Sequence, residues 1–243
     1  MITPNWVQDV IFLSTALKIS STILPAAQYA PFLSNHDQNC AMFVLGNNAD
    51  KAKVAASLLL TSPGTPFLYY GEEIGMIGFK PDENIRRPMQ WSAEKNAGFT
   101  TGKPWRSPAT DFSRVNVEAQ INDPASLWSH YQALINLRMA HPALRSSEIV
   151  LAKSNKQAVF ASLRSSQDGE VILVLINPGE ETLADYTISL DKSSIPAGEY
   201  TLTALMGAGD FAPLRVDANG GFTKATPLPE LAPFGTYIVQ LKK

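Results

Sequence analysis

Ser62-Pro63-Gly64-Thr65-Pro66-Phe67-Leu68-Tyr69-Tyr70-Gly71-Glu72-Glu73 is the stretch on which the fold turns. A helix-stopping Pro-Gly pair precedes a short apolar run, Thr65 to Tyr70, and the run closes on Gly71 and two carboxylates. Short continuous apolar runs between helices are what a parallel sheet covered on both faces requires. Upstream, Asn48 stands as the N-cap of a helix whose Val54, Ala55, Leu58 and Leu59 recur on one face. Before it, Tyr29 to Leu33 forms a second buried run, ending in the polar cluster Ser34, Asn35, His36, Asp37. An earlier apolar-periodic helix is expected over Asn5 to Lys18. Downstream, a loop from Gly71 to Asn122 carries most of the Trp, Arg and Pro. A last helix then opens with Asp123 as N-cap and Pro124 at its first position. Leu127, Tyr131, Leu134 and Ile135 form its buried stripe, and His141-Pro142 ends it. Helix, strand, helix, strand, helix reads as α/β, a class in which polar residues at the C-terminal strand ends build the site.

Near residue 145 the pattern changes to short alternating segments with Gly and Pro turns. Strands are expected at Glu148–Ala152, Val159–Leu163, Glu170–Ile176, Thr182–Leu190, Glu199–Met206 and Thr236–Leu241, with turns at Asn177-Pro178-Gly179 and Asn219-Gly220-Gly221. An antiparallel sandwich of about 100 residues follows. The chain thus divides into an α/β part, 1–145, and an all-β part, 146–243. Its 243 residues would also suit one closed barrel of about 250.

Apolar residues at 45% and charged residues at 17% exclude a disordered chain. A net charge of −2 gives no electrostatic case for nucleic acid or for an anionic membrane surface. The single cysteine, Cys40, excludes an intramolecular disulfide and a cysteine zinc cluster, and reads as a small buried hydrophobe. The run Val10 to Leu17 lacks a basic flank and is too short to span a bilayer, so neither a signal peptide nor a membrane partner is expected. Compartment is left open.

Three groups carry chemistry. Asn35-His36-Asp37 places a carboxylate, an imidazole and an amide at a strand end, a set suited to sugar hydroxyls; a polar turn satisfying its own backbone is the plain alternative. Glu72 and Glu73 point in different directions, which favours a bracing carboxylate over a catalytic pair. Lys80 to Trp91 combines Asp82 and Arg86 with aromatic faces at Trp91 and Trp105; a structured surface loop with an internal ion pair is the alternative. His130 and His141 read as structural. No phosphate-binding glycine fingerprint, HExxH or GxSxG occurs.

With these residues in view, Phe32-Leu33-Ser34-Asn35-His36-Asp37 resembles the seventh-strand motif of the α-amylase family of glycoside hydrolases, family 13. Ser62 to Met76 resembles its eighth strand and turn. Pro81 to Trp91 with Asn96-Ala97-Gly98-Phe99 resembles the eighth-strand loop of oligosaccharide-acting members. The resemblance implies the last two strands and flanking helices of a (β/α)8 barrel, followed by an antiparallel β-sandwich. It implies retaining hydrolysis of α-glucosidic bonds in starch-type oligosaccharides. Asp37 would stabilise the transition state, and Asn35, His36, Asp82 and Arg86 would bind substrate.

A retaining mechanism needs a nucleophile and an acid/base carboxyl roughly 5 Å apart. In the family those residues come from the fourth and fifth strands, so this chain alone is expected to be inactive or nearly so. The family's calcium sites belong to the same absent part, so no cofactor or metal is expected. Binding of an α-glucan oligosaccharide is expected to be weak, and a homo-oligomer is expected to cover the open barrel edge. A non-catalytic carbohydrate-binding or structural module is the competing expectation.

Overall fold

The computed structural model describes residue 28 and residues 30–243. The helix expected over Asn5 to Lys18 lies outside them, as does Tyr29 of the first apolar run. Two compact units are present, one of residues 30–60 and 65–136, the other including 61–64 and 137–243.

In the first unit the two apolar runs meet in parallel. Phe32 pairs with Phe67, and the Phe67 N–H donates to the Pro31 carbonyl at 2.9 Å. The pairing extends to a single bridge, and both rings are open to solvent, 44% and 59% exposed. Expected as buried strands, these runs therefore lie uncovered: among the described residues no further strand pairs with either. The helix Ala49–Thr61 starts where Asn48 directs it. The Asn48 Oδ1 accepts the N–H of Asp50 (2.9 Å) and of Lys51 (3.0 Å), which satisfies two otherwise orphaned donors. Val54 and Leu59 are buried as expected, while Ala55 and Leu58 are only half-buried.

The helix Leu127–Ala140 begins three residues later than Asp123-Pro124 suggests. Asp123 spends its carboxylate on an Asx turn, accepting the Ala125 N–H at 2.8 Å. Ser126 is the cap instead: its Oγ accepts the Ser129 N–H at 3.1 Å. Of the expected stripe, Leu127, Tyr131 and Leu134 are buried but Ile135 is 38% exposed. The long loop is pinned by short helical turns at Glu72–Ile74, Asp82–Ile85, Lys95–Gly98 and Val117–Gln120. Gly71 (φ 81°) enters the first of these, where a Cβ would lie 2.3 Å from the Met76 sulfur.

The second unit is antiparallel. Its strands are β1 (Ile149–Leu151), β2 (Lys153–Ser154), β3 (Phe160–Ser165), β4 (Val171–Ile176), β5 (Leu183–Ala184), β6 (Ile188–Leu190), β7 (Gly198–Met206), β8 (Leu214–Val216), β9 (Phe222–Ala225), β10 (Glu230–Leu231) and β11 (Thr236–Lys242). A six-stranded sheet runs β1-β3-β4-β11-β7-β8, with smaller sheets β2-β6-β9 and β10-β5. Leu173, Leu175 and Val239 from the large sheet and Ile188, Leu190 and Phe222 from the three-stranded one share a single apolar core, which is the sandwich that the alternating pattern predicts.

Two details differ from the sequence reading. The expected strand Thr182–Leu190 is broken at Asp185 (φ 53°), so that β5 pairs with β10 and β6 with β2 and β9. The β4 strand is buried on both faces, as its unbroken run VILVLI permits. A charged residue completes this unit's interior. Arg164 of β3 is fully buried, and donates to the carbonyls of Glu148 (2.9 Å), Ser146 and Thr61.

Candidate functional site

The candidate residues converge where the first apolar run ends. Asn35 bends the chain: its Oδ1 accepts the Asp37 N–H at 2.9 Å. His36 Nε2 lies 3.3 Å from Asp37 Oδ2, and both side chains are well exposed. The short helix Asp82–Ile85 delivers Arg86 one turn after Asp82, and the guanidinium reaches across to the bend. Arg86 Nε donates to the His36 carbonyl at 3.0 Å, and Nη2 donates to Asp37 Oδ1 at 3.0 Å and to Asp82 Oδ2 at 2.9 Å. One cation therefore orders two carboxylates from segments 45 residues apart in number. All five residues expected to form the site, Asn35, His36, Asp37, Asp82 and Arg86, are brought into one cluster.

Lys80, which the sequence reading did not single out, completes it. Its ammonium donates to Asp82 Oδ1, and its backbone N–H donates to Asn39 Oδ1 at 2.9 Å. The Lys80 hydrogen bond is the main reason the Asp82 carboxyl is held below the usual carboxylate range, so Asp82 remains ionised at neutral pH and is no proton donor there. Its position two residues before Asp82 was the signal available in the sequence.

Two recesses flank the cluster. One of about 390 Å³ includes Asn35, His36, Phe32, Phe67 and Tyr69 in its lining. The other, of about 380 Å³, is walled by Arg86 and Arg87 with Tyr70, Trp91, Phe99 and Trp105. Its loops are held by hydrogen bonds: Arg87 donates to the Pro108 carbonyl (2.8 Å) and Asn84 Oδ1 (3.1 Å), and Asn96 Nδ2 donates to the Thr100 (3.0 Å) and Gly102 (2.9 Å) carbonyls. Apolar ring faces beside fixed polar groups suit the alternating apolar and hydroxylated surface of a pyranose.

Beneath the bend lies Glu72, buried like its partners Ser34 and Tyr131. Ser34 Oγ donates to Oε2 and Tyr131 Oη to Oε1, each at 2.9 Å. Burial pushes the Glu72 carboxyl up to about 7 against those two lowering hydrogen bonds, with Glu73 adding repulsion. Burial also raises Glu73. Glu72 thus braces the scaffold, and the triad was illegible in the sequence because its members are 38 and 59 positions apart. Cys40 is buried, and its thiol is pushed up to about 11 by desolvation. His130 Nε2 lies 2.9 Å from Ser57 Oγ and 3.0 Å from the Lys53 carbonyl, fastening two helices. His141 Nδ1 lies 2.6 Å from Glu170. Among the described residues no three His, Cys, Asp or Glu side chains group as a metal ion would need, and no helix is long and apolar enough to cross a membrane.

Comparison with known proteins gives a consistent result. The chain is 35% identical to alpha-amylase 3 of Dictyoglomus thermophilum over 147 residues, 60% of this chain and 29% of that protein. It is 30% identical to the oligo-1,6-glucosidase of Halalkalibacterium halodurans over 211 residues, 66% of this chain and 37% of that protein. Among solved structures, the alpha-amylase from H. orenii superposes with a TM-score of 0.67 at 28% identity, over 99% of this chain and 48% of that one. The trehalose-6-phosphate hydrolase of Bacillus licheniformis has the same fold, with a TM-score of 0.73 at 23% identity, over 98% of this chain and 47% of that one. The chain therefore spans about a third of the length of these curated relatives and just under half of the solved chains. The alpha-amylase catalytic-domain model matches residues 6–147, and with more than half of its length so matched the chain belongs to the alpha-amylase family of glycoside hydrolases, family 13.

Proposed function

We propose that these 243 residues are the C-terminal portion of an enzyme that hydrolyses α-glucosidic bonds in starch-type oligosaccharides with retention. Residues 1–145 would supply the end of the (β/α)8 barrel and 146–243 the β-sandwich. Asp37 is assigned to stabilising the oxocarbenium-like transition state, and Asn35, His36, Asp82 and Arg86 to holding the sugar. The observation that carries this reading is the Arg86 bridge. A guanidinium that fixes both Asp37 and Asp82 leaves each carboxylate with lone pairs for sugar hydroxyls, and sets the two side by side where positive charge would develop.

The same geometry supports a further part of the proposal, that this chain alone is inactive or nearly so. Retention requires a nucleophile and a proton donor at a set separation. Asp82 is held ionised, and Glu72 is sealed between Ser34 and Tyr131. Neither offers the second carboxyl. The exposed faces around Phe32 and Phe67 would then be covered by a second copy of the chain.

Purified, mass-verified protein incubated with maltooligosaccharides is expected to give no turnover. Hydrolysis that disappears on Asp37→Ala would overturn the inactive reading. Calorimetric titration is expected to show millimolar binding that Asp82→Ala abolishes. Saturation unaffected by Asp82→Ala would count against the site assignment. A clean monomer by light scattering at high concentration would count against the second copy.

A further inference from the structure

We propose that Glu72 is a positioning residue for the sugar-holding bend, acting on Asn35, His36 and Asp37 through the hydroxyl of Ser34. The proposal rests on the sugar-site assignment above for its functional meaning, but its geometry stands independently. The bend has two fixed points. From solvent, Arg86 holds the His36 carbonyl and the Asp37 carboxylate. From the interior, Glu72 holds Ser34, the residue that enters the bend. The inner anchor is rigid, because the other Glu72 oxygen takes the Tyr131 hydroxyl from the helix Leu127–Ala140. All three side chains are sealed from water, and no cation pairs with Glu72 among the described residues.

That arrangement makes the anchor sensitive to one proton. Ionised, Glu72 accepts from both hydroxyls. When it takes a proton from solvent, one oxygen becomes a donor, and one of the two hydrogen bonds must reverse. An aliphatic hydroxyl oxygen is the better acceptor, so the reversal falls on Ser34. The Ser34 hydrogen then loses its carboxylate partner, and the entry to the bend resets. Burial places this change near pH 7. The groups around Glu72 are Glu73 beside it, Tyr131 on the helix and Cys40, whose thiol feels its charge. His36, Asp37 and Arg86 lie on the outer side of the bend.

The test is a pH titration by nuclear magnetic resonance on the 243-residue chain, reading the Glu72 carboxyl carbon and the amides of Asn35, His36 and Asp37. In the wild type these are expected to share a transition near pH 7. In Ser34→Ala the carboxyl should still titrate, while the amides no longer follow it. Glu72→Gln, which retains an acceptor but cannot titrate, should also remove it. Amides that follow the Glu72 carboxyl equally well in Ser34→Ala, or that never follow it in the wild type, would overturn the proposal. Maltooligosaccharide added at pH 6 and pH 8 separates the two readings. Absence of binding at both counts against the sugar site, while the amides still decide the Ser34–Glu72 coupling.

Discussion

In the β-rich unit Leu173, Leu175, Val239 and Tyr186 are completely sealed from solvent, whereas in the unit of residues 30–60 and 65–136 Phe32, Phe67, Leu68, Tyr70, Trp91 and Trp105 stand open. The residue types are similar, and their fates are opposite. In the β unit β4 and β11 each meet a neighbour on both edges and share a core with the three-stranded sheet. Among the described residues the Phe32 and Phe67 runs have no strand partner but each other. Among the described residues, every large exposed hydrophobic except Met139 belongs to the first unit. Burial is therefore decided by the surface a residue meets, and apolar character by itself only creates the demand. That contrast fits the proposal that residues 1–145 are part of a barrel.

The contrast can be broken by mutation. The largest effect is expected inside the β unit, where Leu173→Ala should cost about 2–5 kcal/mol through lost burial and a residual cavity. Arg164→Met belongs to the same class, because it removes a fully buried guanidinium that donates to three backbone carbonyls, at roughly 3 kcal/mol or more. Urea denaturation followed by circular dichroism measures both, and a loss below about 1 kcal/mol for either would contradict the burial described here.

Next comes Glu72, a carboxylate in the buried part of the first unit. Its carboxyl sits at about 7 in the folded chain against an ordinary 4.5, so folding takes up a proton between those values. The stabilisation is complete below about pH 4.5 and is lost as pH rises through 7, worth roughly 3 kcal/mol at most. Melting temperatures of wild type and Glu72→Gln should therefore converge in acid and diverge in favour of the variant above neutrality. A constant difference across pH 5 to 8 would remove Glu72 as the cause.

A smaller cost is expected from Asn177→Ala. The buried Asn177 side chain donates to the carbonyls of Glu181 (2.8 Å) and Ala232 (2.9 Å), and accepts the Gly179 N–H at 2.9 Å. Leaving those groups unpaired should cost about 1–3 kcal/mol by the same measurement. The smallest effect belongs to the open face of the first unit. Phe67→Ala should change stability by less than about 0.5 kcal/mol, and a loss comparable to Leu173→Ala would show that something covers Phe67 in solution.

Local chemistry was legible in the sequence where a residue acts on its own neighbours. Asn48 caps the helix it was expected to cap, and the four-residue spacing of Asp82 and Arg86 is realised as an ion pair. Where two residues compete for one local role, the reading slipped. Asp123 was expected as the cap, but it closes a turn and leaves the cap to Ser126. The break at Asp185 and the short strands β2, β8, β9 and β10 were also missed. A left-handed residue costs little in sequence signal, and two- to four-residue strands carry almost no alternation to detect.

The sequence by itself determined the class of each half, the positions of β1, β3, β4, β7 and β11, and the residues that meet at the bend. Helical and strand periodicities, caps and charge spacings are all written within a few residues. Only the tertiary structure decided that Arg86 joins Asp37 to Asp82, that Ser34 and Tyr131 share one carboxylate, that Arg164 is an interior residue and that Phe32 and Phe67 are exposed. Each of those outcomes depends on segments tens of residues apart arriving at the same point, and the free energy of burial or pairing belongs to that meeting.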